Sequence, residues 1–212
     1  MRTVIAPTTA WVVCAMLGLA GTAGRCEAGF VVGFDDLSHI QTVPNGYNGL
    51  NWSNFAALNT TGFTPSGYVN GVVSPTNVAF NGGGAPSEFS SGTPFNFDSA
   101  YLTAAWHNGL AVVVQGFLAG NTVYTTNLTL NTAGSTQFTF NYVGVDRVRF
   151  SATGGTNPGF AGDGTHIAFD NLAFNGPVPP GIATPAPPTM VAALVGMAGL
   201  AFARRVRRAV TG

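Results

Sequence analysis

Glu88 is the only glutamate between residues 29 and 180, and the aspartates of that stretch, Asp35, Asp36, Asp98, Asp146, Asp163 and Asp170, are scattered along it. A glycoside hydrolase works with two carboxylates set across the scissile bond. Glu88 would serve only if folding delivered an aspartate to it, and its plainer reading is a solvated residue beside a loop. His39, His107 and His166 stand singly, without the His-x-His or His-x-x-x-His spacing that brings two imidazoles to one metal ion. They read as surface or core histidines. No Gly-x-Ser-x-Gly elbow is present. Gly82-Gly83-Gly84 runs into Ala85-Pro86 with no helix behind it to present a phosphate site, so it reads as a turn. No catalytic residue is assigned, and the chain is expected not to be an enzyme.

Two kinds of binding have candidates. Hard cations take several oxygens from carboxylates and backbone carbonyls. Asp35 or Asp36 near the start of the domain and Asp170 near its end could supply them for a structural calcium ion if their strands pair, with the Asp163-Gly164 loop adding an oxygen. The competing reading is that these aspartates cap turns through local hydrogen bonds. No other cofactor is expected. Sugar rings are held by aromatic faces flanked by amides and carboxylates. Tyr47, Trp52 and Trp106 are the leading candidates, with Asn48, Asn51, Asn54, His107 and Asn108 beside them, and Tyr68 and Tyr142 are also available. Against this, Trp106 ends an alternating strand and could face the core.

The elements that must position these residues are strands. The 29 glycines, 13 prolines and 17 asparagines among 212 residues are too many turn-formers for a helical bundle. Leu110, Val112 and Val114 alternate after Gly109, Phe138 and Phe140 alternate with Gln137, Thr139 and Asn141, and Val148 and Phe150 alternate with Arg147 and Arg149. In the last strand the apolar phase moves from Ile167 and Phe169 to Leu172 and Phe174, which predicts a bulge or twist near Asp170-Asn171. From Ile40 to Phe55 the chain is expected to pass through turns before any strand. Spacings of about a dozen residues between strand-like runs predict one all-β domain over 29–176, a single antiparallel sandwich of the jelly-roll kind. The 22 aromatic residues within it are enough to fill a core. Only 8% of residues are charged, which excludes a nucleic-acid binder and a solvated disordered tail.

Charge is distributed by segment. Residues 29–180 hold seven acids and two arginines, Arg147 and Arg149, while the remaining arginines sit at the ends and lysine is absent. After Arg2 the uncharged run centred on residues 10–20 has the length of a secretory signal's apolar region, and residues 1–28 are read as a signal-peptide helix. Signal peptidase is expected to cut between Ala28 and Gly29, with Ala23 a second choice. Either cut removes Cys14, and the preferred one also removes Cys26, leaving no thiol. Residues 177–189 are Pro-rich and cannot join a sheet. Residues 190–203 are apolar and would rise about 21 Å as a helix, short of a full bilayer core, so spanning needs the flanking Arg204, Arg205, Arg207 and Arg208 to snorkel. Residues 190–212 are read as a short transmembrane helix with its arginine-rich end in the cytoplasm.

Pro185-Ala186-Pro187, the short apolar helix and the terminal arginine cluster together resemble the PEP-CTERM sorting signal of bacterial surface proteins, with Ala186 where that family has glutamate. The resemblance implies recognition by an exosortase-type transpeptidase and release or transfer to the cell surface or an exopolysaccharide matrix. Phe34-Asp35-Asp36-Leu37, Tyr47-Asn48-Gly49-Leu50-Asn51-Trp52, Ala105-Trp106, Gly116-Phe117 and Phe169-Asp170-Asn171-Leu172 also resemble segments of surface proteins bearing that tail. For those proteins the resemblance implies a jelly roll like a carbohydrate-binding module. The expected function is therefore a secreted, non-enzymatic envelope or matrix protein. The alternative is a polysaccharide-binding module, and a secreted glycoside hydrolase comes third.

Overall fold

A computed structural model describes residues 29–175. The expected signal peptide, the Pro185-Ala186-Pro187 motif, the apolar helix and Arg204, Arg205, Arg207 and Arg208 lie outside the described residues. Of the expected cleavage pair, Gly29 is described and Ala28 is not. Among the described residues the strands are β1 (Phe30–Val32), β2 (Gln41–Thr42), β3 (Asn51–Ser53), β4 (Phe55–Asn59), β5 (Asn77–Asn81), β6 (Ser87–Ala104), β7 (Leu110–Leu118), β8 (Asn121–Leu130), β9 (Thr136–Thr153) and β10 (Ile167–Asn175). One four-residue helix, α1 (Gly67–Asn70), interrupts them. Every strand pairing is antiparallel. No described helix is long and apolar enough to cross a membrane.

The expected all-β sandwich is the observed fold, and two long strands make it. In one layer the order is β2-β4-β5-β10-β6-β9, where residues 99–102 of β6 pair with 136–139 of β9. In the other, β3 lies on β6, and residues 87–90 of β6 pair with 147–150 of β9, which in turn carries β7 and then β8. β6 and β9 therefore serve both layers, changing layer where their register shifts between Ser90 and Ser99. Phe140 and Phe150 of β9 have ring centroids 6.4 Å apart. Ten residues of straight strand would separate them by about 33 Å, so β9 folds back on itself.

Phe34, Phe55, Phe89, Phe97, Phe150, Phe169 and Phe174 fill the space between the layers, each less than 2% exposed. Alternation explains which face turns inward: Leu110, Val112 and Val114 of β7 are buried, and Ala111 and Val113 between them are exposed. The predicted irregularity in β10 is a register shift between Asp170 and Ala173, with Asn171 at φ 47°. The extra residue lets Ile167 and Phe169 on one side of it and Leu172 and Phe174 on the other all reach the core. The stretch from Ile40 to Phe55 is less irregular than expected, since β2 and β3 both lie within it.

A second, smaller apolar cluster is built from Leu58, Tyr68, Val78, Ala105 and Ala168. β4, β5 and β10 contribute to it the residues that alternate with those they send to the main core, so it lies on the outward face of the first layer. The Ser66 hydroxyl caps α1 by accepting from the Val69 amide at 3.4 Å, and α1 lays Tyr68 over this face. Phe63, Phe80 and Trp106 pack around Tyr68 and stay partly exposed.

Candidate functional site

β1 pairs with β10, and this brings Asp35 to Asp170 as the calcium reading required. What joins them is Ser74. Its hydroxyl is 2.8 Å from Asp35 Oδ2 and 3.1 Å from Asp170 Oδ1. Asp170 is fully buried and also accepts from the amides of Val73 at 2.6 Å, Ser74 at 2.9 Å and Asn171 at 2.7 Å. Burial pushes its carboxyl pKa up, while these hydrogen bonds pull it back down. Asp35 Oδ1 accepts from the Asn77 amide at 2.9 Å. These donors are what a carboxylate tying a loop to a strand collects, whereas a cation needs the same lone pairs free. Asp36 is not part of the network, because its carboxylate accepts from the Tyr47 hydroxyl at 2.6 Å. Among the described residues no group of three or more His, Cys, Asp or Glu is placed to hold a metal ion. Beside Asp35 opens a depression of about 550 Å³ lined by polar groups that include Ser38, His39, Asn59 and Thr61.

The three aromatic candidates for sugar contact separate. Trp52 is a core residue, 6% exposed. Its register opposite Phe89 puts it on the inner face, where the rings of Phe34, Phe55 and Phe89 lie 5.1 to 5.6 Å away and its indole N–H donates to the Tyr47 carbonyl at 2.9 Å. No face of that ring is left for a sugar, which corrects the sequence reading. Tyr47 lies at the margin of the core, partly buried, with its hydroxyl held by Asp36. Burial and the neighbouring carboxylate together raise its pKa. Trp106 is the candidate that remains outside the main core.

Trp106 lies two residues beyond Ala104, the last of β6, at the end of the sandwich where β10 begins and the loops before β7 and β10 meet. Its ring meets Tyr68 edge-on at 5.2 Å. Gly162 is pressed against one side, where a Cβ would overlap the indole, so the tryptophan is fixed in place by a residue with no side chain. Tyr68 Oη is 2.6 Å from His166 Nδ1, and His166 stacks on Phe80 at 5.9 Å with an interplanar angle of 8°. Burial raises the Tyr68 pKa, so its hydroxyl keeps its proton beside Nδ1. Burial, with a smaller contribution from the charge of His107, lowers the His166 pKa.

His107, next to Trp106, reaches the other loop. Its Nδ1 lies 3.0 Å from the Gly154 carbonyl and its Nε2 pairs with Asp163 Oδ1. The Gly154 bond and then Asp163 raise the His107 pKa, and His107 in turn lowers that of Asp163. The Asp163 side chain is 81% exposed, leaving Oδ2 open to solvent. Trp106, His107, Asp163 and His166 thus form one cluster of an aromatic ring, two imidazoles and a carboxylate. Sequence reading singled out Trp106 and His107 together, but treated the histidines as isolated and overlooked Tyr68–His166 and His107–Asp163. These pairs span 98 and 56 residues and have no local signal. Glu88 is the second residue of β6, just after the turn that ends at Pro86, partly exposed, opposite Arg149 in register and 3.9 Å from the Arg147 guanidinium.

The chain matches no protein-family model and no curated protein. Among solved structures it is similar to the N-terminal CBM22-1-CBM22-2 tandem domain from Paenibacillus barcinonensis Xyn10C, at 10% identity and a TM-score of 0.43, covering 78% of this chain and 50% of that one. It is also similar to TmCBM61 in complex with beta-1,4-galactotriose, at 11% identity and a TM-score of 0.33, covering 65% and 99%. A third is the M60 catalytic domain with the CBM51-1 and CBM51-2 domains from Clostridium perfringens ZmpB, at 11% identity and a TM-score of 0.35, covering 69% and 15%. The chain spans half the length of the first of these.

Proposed function

We propose that this protein is an exported, non-catalytic module that holds a polysaccharide at the end of the sandwich built by Trp106, His107, Asp163 and His166, and that its tail addresses it to the cell envelope. The observation that carries the reading is the immobilised, partly exposed Trp106 with polar groups of fixed orientation beside it. An indole face takes the C–H side of a pyranose ring, the partly exposed His166 imidazole hydrogen-bonds a hydroxyl, and the open Asp163 oxygen accepts from one. A catalytic role would need a second carboxylate across from the first, and Glu88 is engaged with Arg147 instead.

Affinity electrophoresis of the full chain against neutral and acidic polysaccharides, including the producer's own exopolysaccharide, tests the site. The wild type is expected to be retarded by at least one polymer, and Trp106→Ala to weaken that binding about tenfold or more, since truncating an aromatic anchor costs about 2 kcal/mol or more. An unaltered melting temperature in the variant separates lost contact from lost fold. A wild type that runs unretarded through every polymer overturns the proposal.

A further inference from the structure

From Asn108 to Val145 the chain has no Asp, Glu, Lys, Arg or His, 38 residues in a row. This stretch supplies β7, β8 and the first half of β9. β8 is the last strand of its layer, paired with β7 on one side and, among the described residues, with no strand on the other. Residues 136–141 of β9 are the corresponding edge of the first layer, paired only with β6. Both open edges of this flank are therefore uncharged.

Proteins normally protect an edge of this length with lysine, proline, a bulge in mid-strand or a short strand. The opposite edge of its layer, β3, is three residues long. β8 has ten residues, Asn121–Leu130, with no proline and no charge. Its one register shift against β7 falls near its start, leaving residues 124–130 in unbroken register. Thr125, Asn127 and Thr129 are exposed, while Tyr124, Thr126 and Leu128 turn partly inward. The inner row is braced from behind: Tyr124 stacks on Tyr142 at 4.7 Å, and the Tyr142 hydroxyl, which donates to the Val114 carbonyl at 3.0 Å, lies 2.7 Å from the Thr126 hydroxyl. The edge is a straight, firmly held row of backbone donors and acceptors.

We infer that β8 pairs with β8 of a second copy of this chain, antiparallel about a two-fold axis, so that the protein is a dimer with one sheet continuous across it. The chemistry of the edge selects this occupant. The protein's own linker, residues 177–189, has six prolines and cannot supply a row of N–H donors. A charged peptide finds no counter-charge on this flank, and a sugar polymer has no alternating amides. A second β8 matches the edge in length, twist and neutrality, and an antiparallel two-fold sets threonine and asparagine against their like, which cross-strand pairing tolerates well. The two-fold axis uses the β8 edge of each copy on the other, and β3 at the far side of the layer is too short to receive a further strand, so pairing closes at two copies.

The test is light scattering of the full chain in a mild non-ionic detergent over a wide concentration range. The wild type is expected to pass from monomer to dimer as concentration rises. Thr125→Lys combined with Asn127→Lys brings four lysines together across the axis and is expected to weaken association about tenfold or more, because like charges directly opposite repel. Ser38→Lys combined with Thr61→Lys, both exposed and remote from β8, is expected to leave association unchanged. Circular dichroism establishes that each variant is folded. A wild type that stays monomeric overturns the inference, and so does a dimer indifferent to the lysines on β8.

Discussion

Tyr68 and His166 are separated by 98 residues of chain and 2.6 Å of space, and the burial of His166 there makes the candidate site sensitive to acid. His166 has a folded-state pKa below its ordinary value of 6.5, because burial disfavours the imidazolium. The unfolded chain therefore binds the proton more readily, and the stability due to a neutral His166 is present above 6.5 and lost as pH falls towards the folded value. Its neighbours act elsewhere or in the opposite sense. His107 has a raised pKa and its contribution is complete below 6.5; Asp163 has a lowered pKa and loses its contribution only below the ordinary carboxylate range. Asp170 and Asp98, both raised by burial, gain protons on folding as pH drops and partly mask the loss. Scanning calorimetry between pH 7.5 and 5.5 should show the wild-type melting temperature falling with acid. His166→Gln, which retains an acceptor for Tyr68, should flatten that slope; an equal slope in both proteins would remove His166 as its cause.

At the scale of elements, α1 decides whether Tyr68 reaches His166 at all. Gly67 begins the helix with its amide donating to the Ala105 carbonyl at 2.8 Å, and a Cβ there would lie inside the Ala104 carbonyl oxygen. Both partners are backbone, so neither can turn aside. Gly67→Ala should cost roughly 1–3 kcal/mol, read as a lower urea midpoint at unchanged slope. It should also weaken polysaccharide binding, since lifting α1 withdraws Tyr68 from under Trp106. The same element marks where sequence reading ran out. β7 was legible because three alternating apolar residues, Leu110, Val112 and Val114, reveal a face, and the β10 bulge because a phase change can be counted. Trp52 and Trp106 look alike in sequence, each a tryptophan beside asparagines. Only the pairing of β3 with a strand beginning 36 residues after Asn51 turns the first inward, and only the end of β6 leaves the second outside. Pairing at a distance leaves no trace in a short window of sequence. For the same reason the aspartates were legible as a pair and Ser74, which joins them, was not.

For the whole molecule, charge follows the division of labour proposed above. Residues 29–180 contain seven acids and two arginines, and the last nine residues contain four arginines. An acidic domain ahead of a Pro-rich segment and a basic end would suit export followed by detachment from the membrane, because the part proposed to bind lies wholly upstream of the part proposed to anchor. A dimer through β8 would then present two Trp106 sites on one particle. On a repeating polymer the second site binds at the high effective concentration set by the first, so modest affinity per site becomes firm retention. Detachment is a matter of mass. Intact-mass spectrometry of the protein recovered from the producer's surface or matrix should give a chain that begins at Gly29 and ends upstream of residue 190, without the apolar segment and the arginines. A surface protein that still ends at Gly212 would rule out sorting by cleavage, and the tail would then be a permanent anchor. In that case the dimer and the sugar-binding end would work at the membrane face, and polysaccharide would be gathered to the cell instead of the protein being passed to the matrix.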